Sequence, residues 1–327
     1  MFATLAVSLG LLLFTGLVYQ IVKRGAQNDY RTSLFYKLLY TPLGFEMAIF
    51  GRRLVGRWVS ERFCELVGLG YALTHADTRN AIRRNIALLD PSKATPGAAI
   101  RTCISQGYNF LDFAELWPMK PGQIGTLLGE GIGLEELQKA KALGKGCILV
   151  TGHLGFFELG GPLLAELGFP MLTLTLPEPS EPLTRWRADF RLRWGVRTLV
   201  VGADAFSAVE ITRELRAGTC VALLADRPFN EHTAPVPVPH GEILFSTAPV
   251  MLSLLSGAPI VPVGIVRQTN GAHAIEARPM ITPEWLAEGR AASLSHFTTK
   301  VAQELVPMFV RNPEQWHHFS DLAVSRK

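Results

Sequence analysis

The rhythm of apolar and polar positions changes near Gly133. Upstream, apolar residues recur at helical spacing. Residues 30–72 mix aromatics, leucines and arginines as amphipathic helices do, whether lying at an interface or packed on the domain. A second helical segment runs from Thr78 through RNAIRRNIALL to Asp90-Pro91, and a third covers 97–117, with Ile104, Tyr108 and Leu111 at helical spacing. Downstream, short apolar runs alternate with helical ones. Strands are predicted at 147–151, 171–176, 198–201, 220–225, 259–266 and 272–278, and helices at 134–144, 156–167, 181–194, 206–215, 247–256 and 291–309. Asn270-Gly271 between the last two strands is a hairpin signal. Residues 227–243 carry four prolines and little periodicity, which predicts a long functional loop. This alternation predicts an α/β fold: a mostly parallel central sheet with helices on both faces.

The N-terminus adds a different element. Residues 1–22 contain no charged side chain and are followed by Lys23 and Arg24. A helix of about 20 apolar residues spans the hydrocarbon core, so an N-terminal transmembrane or membrane-surface helix is expected. The basic flank favours leaving the remainder in the cytoplasm. A cleaved signal peptide competes, without a basic n-region or a clear small-x-small site to support it.

Composition bears on partners more than on fold. Hydrophobic residues make up 48% and charged residues 18% of the chain, a balance that fits membrane contact or a large buried sheet. The formal charge of +4 lends nothing to a general nucleic-acid reading and suits anionic head groups or an acidic carrier protein. The four cysteines form no C-x-x-C, so a reducing compartment is the simpler inference and no zinc site is visible.

Candidate chemistry collects where α/β folds place ligands, beyond the carboxyl ends of strands. T-G-H-L-G-F-F-E (151–158) follows the most apolar strand, with His153 in a glycine-flanked turn and Glu158 in the first turns of the next helix. A carboxylate there can hold the imidazole in one tautomer, and a base so held activates a hydroxyl. The stretch 185–197 holds five arginines against one aspartate. Trp186, Phe190 and Trp194 share one helical face beside Arg187 and Arg191, either as a phosphate-holding surface or as a solvated arginine face over a buried aromatic stripe. L-A-D-R-P (224–228) places Asp226 and Arg227 at a strand end, where Asp226 serves as a cap or a site residue; Arg267 ends another strand. The chain has no G-x-S-x-G elbow and no G-x-x-x-x-G-K-[ST] loop. His232, His240, His317 and His318 lack helical spacing or an accompanying acid motif, so no metal is expected.

In this order the blocks resemble the lysophospholipid acyltransferase superfamily, above all the branch holding the lipid A late (lauroyl and myristoyl) acyltransferases and the phosphatidylinositol mannoside acyltransferases. The resemblance covers roughly residues 78–319. It rests on G-H-L-G-x-x-E at 152–158, the arginine segment before Gly195, L-A-D-R at 224–227, A-P-x-M-L-S-L-L-S-G-A-P-I-V-P-V at 248–263 and N-P-E-Q-W at 312–316.

The resemblance implies an O-acyltransferase in which His153 deprotonates an acceptor hydroxyl, Glu158 orients His153, and the hydroxyl attacks an acyl thioester. Arg187, Arg191, Arg193, Asp226, Arg227 and Arg267 become substrate-binding candidates, Arg191 matching the family's arginine. The co-substrate would be acyl carrier protein or coenzyme A thioester, with no cofactor, metal or covalent intermediate. The acceptor would be a membrane (glyco)lipid, and the location the cytoplasmic face of a bacterial inner membrane. On this reading the chain divides into an anchor helix (1–24), interfacial amphipathic helices (25–77) and an acyltransferase domain (78–327). The sequence departs from the pattern at Pro228, at Pro239-His240-Gly241 and at His317-His318-Phe319. A catalytically inactive, membrane-anchored lipid-binding or assembly protein of the same fold is the alternative.

Overall fold

A computed structural model of the chain describes residues 41–202, 206–227 and 232–322. The expected anchor, residues 1–24, lies outside them, as does the start of the interfacial stretch. No helix among the described residues is long and apolar enough to cross a membrane.

Helices α1 (Pro42–Thr74), α2 (Ala76–Leu89) and α3 (Pro96–Leu116) come first. Thr41 and Thr95 start α1 and α3 by accepting backbone N–H groups of the first turn, each with proline directly after it. One side of α1 packs along α3, where Tyr108 donates to Glu65 at 2.7 Å and the rings of Phe45 and Phe113 lie 5.6 Å apart. Leu43, Met47, Phe50, Leu54, Trp58 and Leu66 of α1 are each 65–71% exposed. Gly56, with φ of 80°, breaks the helix between Leu54 and Trp58, so helical spacing gathers Leu43, Met47, Phe50 and Leu54 into one solvent-facing apolar stripe, while Trp58 and Leu66 are exposed beyond the kink.

The sheet follows, with strands β1 (Leu128–Ile132), β2 (Cys147–Thr151), β3 (Met171–Thr175), β4 (Val196–Val200), β5 (Cys220–Leu224), β8 (Ile260–Arg267) and β9 (His273–Ala277) in the order β1-β9-β8-β2-β5-β3-β4. Neighbours are parallel except β8 and β9, which form the hairpin signalled by Asn270-Gly271. Between strands run α4 (Leu134–Ala142), α5 (Gly160–Glu166), α6 (Glu181–Leu192), α7 (Phe206–Arg216) and α8 (Ala248–Ser256), and α9 (Arg290–Arg311) closes the domain. Side chains of a strand alternate between faces, and β2 shows what covers each. Ile148 and Val150 join Leu215 of α7, Val250 of α8 and Phe309 of α9, whereas Cys147 and Leu149 join Leu116 of α3, Leu137 of α4 and Phe190 of α6. Helices therefore cover both faces, as expected.

Three local expectations need correction. The expected loop 227–243 contains strand β6 (Thr233–Val238), paired antiparallel with β7 (Gly241–Ser246). Ala234, Val236 and Val238 are buried while Pro235 and Pro237 face outward. A two-stranded ribbon leaves alternate N–H groups unpaired, so prolines at alternate positions cost no ladder bond. The helix expected over 156–167 begins instead as a tight turn of 3-10 helix, Phe157–Leu159, before α5. Strand β1 was not expected; its LGEGI sequence is mostly exposed and has neither apolar continuity nor clear alternation.

Candidate active site

Parallel pairing of β2 with β5 matches Thr151 to Leu224 at their carboxyl ends. Two residues beyond each end stand His153 and Asp226, so the register itself brings them together. The Nδ1 atom of His153 lies 2.8 Å from Oδ1 of Asp226, and the backbone N–H of His153 donates to Oδ2 at 2.7 Å. Two glycines allow this turn. A side chain at Gly152 would meet the Phe309 ring at 2.6 Å and Asp226 Oδ2 at 2.7 Å, and Gly155 holds a φ of +53° where an added side chain would run into the Ile265 carbonyl.

The segment after α9 closes the site from the other side. Residues 315–317 pair with the turn: Gly155 N–H donates to the Gln315 carbonyl and His317 N–H to the His153 carbonyl, both at 2.8 Å. Asn109 of α3 donates to the Gly155 carbonyl at 2.9 Å, and His317 Nε2 lies 3.1 Å from the Ser105 hydroxyl. Trp316 Nε1 donates to Asp226 Oδ2 at 2.9 Å, and His318 Nε2 lies 2.8 Å from the same oxygen. Asp226 is wholly buried, and His318 and Trp316 nearly so.

Burial works to raise the Asp226 carboxyl, but His153 and His318 overcome it and hold the group well below the usual carboxylate range. Burial lowers His318 to about 4 against the pull of Asp226, and lowers His317 to about 3 with the help of neighbouring His153 and His318. The arrangement is thus a buried carboxylate anion facing one half-open imidazole, His153, whose side chain is 23% exposed. His153 Nε2 has no protein partner among the described residues.

Glu158 is not the partner of this imidazole. Its carboxylate takes Arg191 Nη2 at 2.7 Å, Arg191 Nε at 3.2 Å and Arg187 Nη2 at 3.0 Å. Burial would raise Glu158, yet Arg191 and Arg187 outweigh it and hold the carboxyl at about 2. The reason is local. The 3-10 turn at Phe157–Leu159 directs Glu158 toward α6, where Arg187 and Arg191 sit one turn apart, and Glu178 takes Arg187 Nη1 at 2.7 Å. The expectation that Glu158 orients His153 is therefore corrected: Asp226 holds that position.

His153, Asp226 and His318 are also a group whose donor atoms all lie within 4.8 Å of one another, as a metal site requires. Each nitrogen is already at hydrogen-bond distance from the carboxylate, and two of the other donors on Oδ2 are an indole and a backbone N–H, neither a metal ligand. Protons account for the geometry.

A hydrogen-bonded His–Asp pair at adjacent strand ends, its imidazole partly open to solvent, has the geometry that general-base chemistry requires. The sequence model of the bacterial lipid A biosynthesis acyltransferases matches residues 36–322, from before α1 through the Trp316–His318 segment. The chain belongs to that family. Comparison with individually curated proteins gives no match. As a member of the lipid A biosynthesis acyltransferases it works with a lipid acceptor and an acyl donor.

The remaining sequence candidates of this acyltransferase lie in other environments. Arg193 is exposed, donates to the Trp117 carbonyl at 2.7 Å and lies over the Trp117 ring. Trp186 and Phe190 stack on Trp117 with centroids 4.3 and 5.1 Å away, so the aromatic face of α6 is core. Arg227 is exposed and reaches the His317 carbonyl at 3.4 Å. Arg267 belongs to a second polar cluster, donating to Glu61 of α1 at 2.9 Å and lying 3.5 Å from buried Asp112 of α3. Burial raises Asp112 to about 7 although Arg267 pulls it down.

Sequence reasoning overlooked Trp316, His317 and His318 as site residues. The N-P-E-Q-W block ends on the first of them, and that block was the available signal.

Proposed function

We propose that the chain transfers a fatty acyl group from an acyl thioester to a hydroxyl of a lipid A-type membrane glycolipid, in the manner of the late acyltransferases, with His153 as general base. The observation that carries this reading is the 2.8 Å contact between His153 Nδ1 and the buried Asp226 carboxylate. An Nδ1–H donated to Asp226 leaves Nε2 unprotonated and able to accept the acceptor's hydroxyl proton. The freed oxygen attacks the thioester carbonyl, and the charge on Asp226 stabilises the imidazolium so formed. Collapse of the tetrahedral intermediate breaks the C–S bond, and the departing thiolate takes the proton back from Nε2. The product is an ester and a free thiol, with His153 restored.

The reaction belongs at the cytoplasmic face of a bacterial inner membrane, where acyl carrier protein and coenzyme A thioesters are both donors to consider. The exposed apolar side chains of α1 support contact with the membrane surface: Phe50 and Leu54 before the Gly56 kink and Trp58 after it are exposed, as are Arg53 and Arg62. Lipid mass spectrometry on matched cells expressing wild type, His153→Ala or neither tests the reading. A lipid that gains one acyl chain's mass only with wild type supports it and names the acceptor. Equal gain with His153→Ala sinks the mechanism, and no gain with a folded wild-type chain favours a binding protein of the same fold.

A further inference from the structure

Asp226 has two oxygens with different duties. Oδ1 meets His153 Nδ1, while Oδ2 collects the His153 backbone N–H, Trp316 Nε1 and His318 Nε2 at 2.7, 2.9 and 2.8 Å. With Oδ2 held from three directions, the carboxylate cannot turn without breaking several bonds, and Oδ1 stays on His153. His318 differs from the other two donors because it can change charge. Its Nδ1 is buried and has no hydrogen-bond partner, so the proton on Nε2 is the one this environment accommodates. The charged and titratable groups facing His318 are Asp226 beyond β5, His153 beyond β2, Arg227 and the adjacent His317. A second proton on His318 would stand beside Asp226 and cancel the charge that an imidazolium at His153 requires. The His318 ring edges both His153 and Trp316, at centroid distances of 5.2 and 4.7 Å, which fixes its orientation.

We propose that His318 is a positioning residue for acyl transfer: a neutral Nε2–H donor that locks Asp226 Oδ2, turns Oδ1 to His153 and leaves the whole carboxylate charge to that base. The inference rests on His153 acting as the base. Its logic is that of a two-imidazole, one-carboxylate row in which only the half-open imidazole takes up a proton.

The test uses the full chain in detergent with 15N-labelled histidine, followed by proton–nitrogen spectroscopy from about pH 5 to about pH 8, across the range where histidine ordinarily titrates. In the wild type, His318 is expected to be neutral with its proton on Nε2 throughout, and His153 Nδ1–H to resonate far downfield. His318→Phe should lose the downfield signal, and His318→Gln, which can still donate an N–H, should keep it. Transfer from dodecanoyl-acyl carrier protein to lipid A precursor isolated from bacterial membranes supplies the kinetic readout. His318→Phe should lower kcat by about tenfold or more with KM changed less than about twofold, and His318→Gln should return most of the rate. Doubly protonated His318 at neutral pH, or a folded His318→Phe chain that keeps both the signal and kcat, would overturn the proposal. The protonation state is read on the wild-type chain, so a His318→Phe chain that failed to fold would not shield it. Undiminished transfer by His153→Ala would instead defeat the base assignment, a result separate from the state of His318.

Discussion

His153 Nδ1 and Asp226 Oδ1 are 2.8 Å apart across 73 residues of chain because β5 lies directly beside β2 in the sheet, with β3 and β4 beyond it. Asp226→Asn keeps the shape of the carboxylate and removes its charge. It should lower kcat by roughly 10²–10⁴-fold, the range of a positioned acid–base group, with a small change in KM. Initial rates of acyl transfer in membranes expressing each chain measure this. A loss under about threefold would free His153 from dependence on Asp226.

Glu158→Gln should separate clamp from relay. Glu158 binds Arg187 and Arg191 and is 11% exposed, so its loss leaves two largely buried guanidinium groups short of a partner. Stability should fall, by up to about 3–5 kcal/mol for a fully buried pair and less here. The acid limb of the pH–rate profile should stay where it is, since Glu158 does not touch His153. Denaturant unfolding and the pH profile read the two effects separately, and a displaced acid limb would return Glu158 to the relay.

How far the site was legible in the sequence follows from these two residues. CILVT and CVALL announced themselves as buried strands, and the residues just past their ends were the right places to look. Which strands lie side by side was not legible, because β5 enters between β2 and β3 through a crossover that no local pattern encodes. Glu158 was the nearest acid in sequence, and only the 3-10 turn before α5 aims it at α6. The role of His318 depends on a terminal segment folding back over the β2 turn, a tertiary event without periodicity. Prolines 235 and 237 hid β6, since proline signals a loop unless the strand is known to be an edge.

Acid should loosen the domain through its buried histidines. His317 and His318 stay neutral in the folded chain down to about 3 and about 4, whereas unfolded histidine takes up its proton near pH 6.5. The unfolded state therefore binds more protons below that pH, and the stability from these groups is lost as pH falls from about 6.5 toward about 4. The slope approaches 1.4 kcal/mol per pH unit per group as an upper bound. Urea unfolding of His318→Gln at several pH values should show a shallower decline than the wild type; identical slopes would count against a buried neutral His318.

Asp112 should act in the opposite direction. Its folded carboxyl is raised to about 7, so between the unfolded value near 4 and that point the folded state binds more protons, and stability falls as pH rises. Asp112→Asn mimics the protonated form. Relative to wild type it should gain stability as pH climbs from about 4 to about 7, by at most about 1.4 kcal/mol per unit. A difference in Tm that is flat with pH would mean that Arg267 keeps Asp112 ionised throughout.

The fold-back of residues 315–318 onto the β2 turn has a consequence in time. Ribosomes make β2 early and Trp316 late, and a domain generally folds as a unit. A nascent chain therefore carries its histidine for a long interval with Asp226 still unlocked. The His153–Asp226 pair therefore reaches its locked geometry only once residues 315–318 have been made and have docked on the turn.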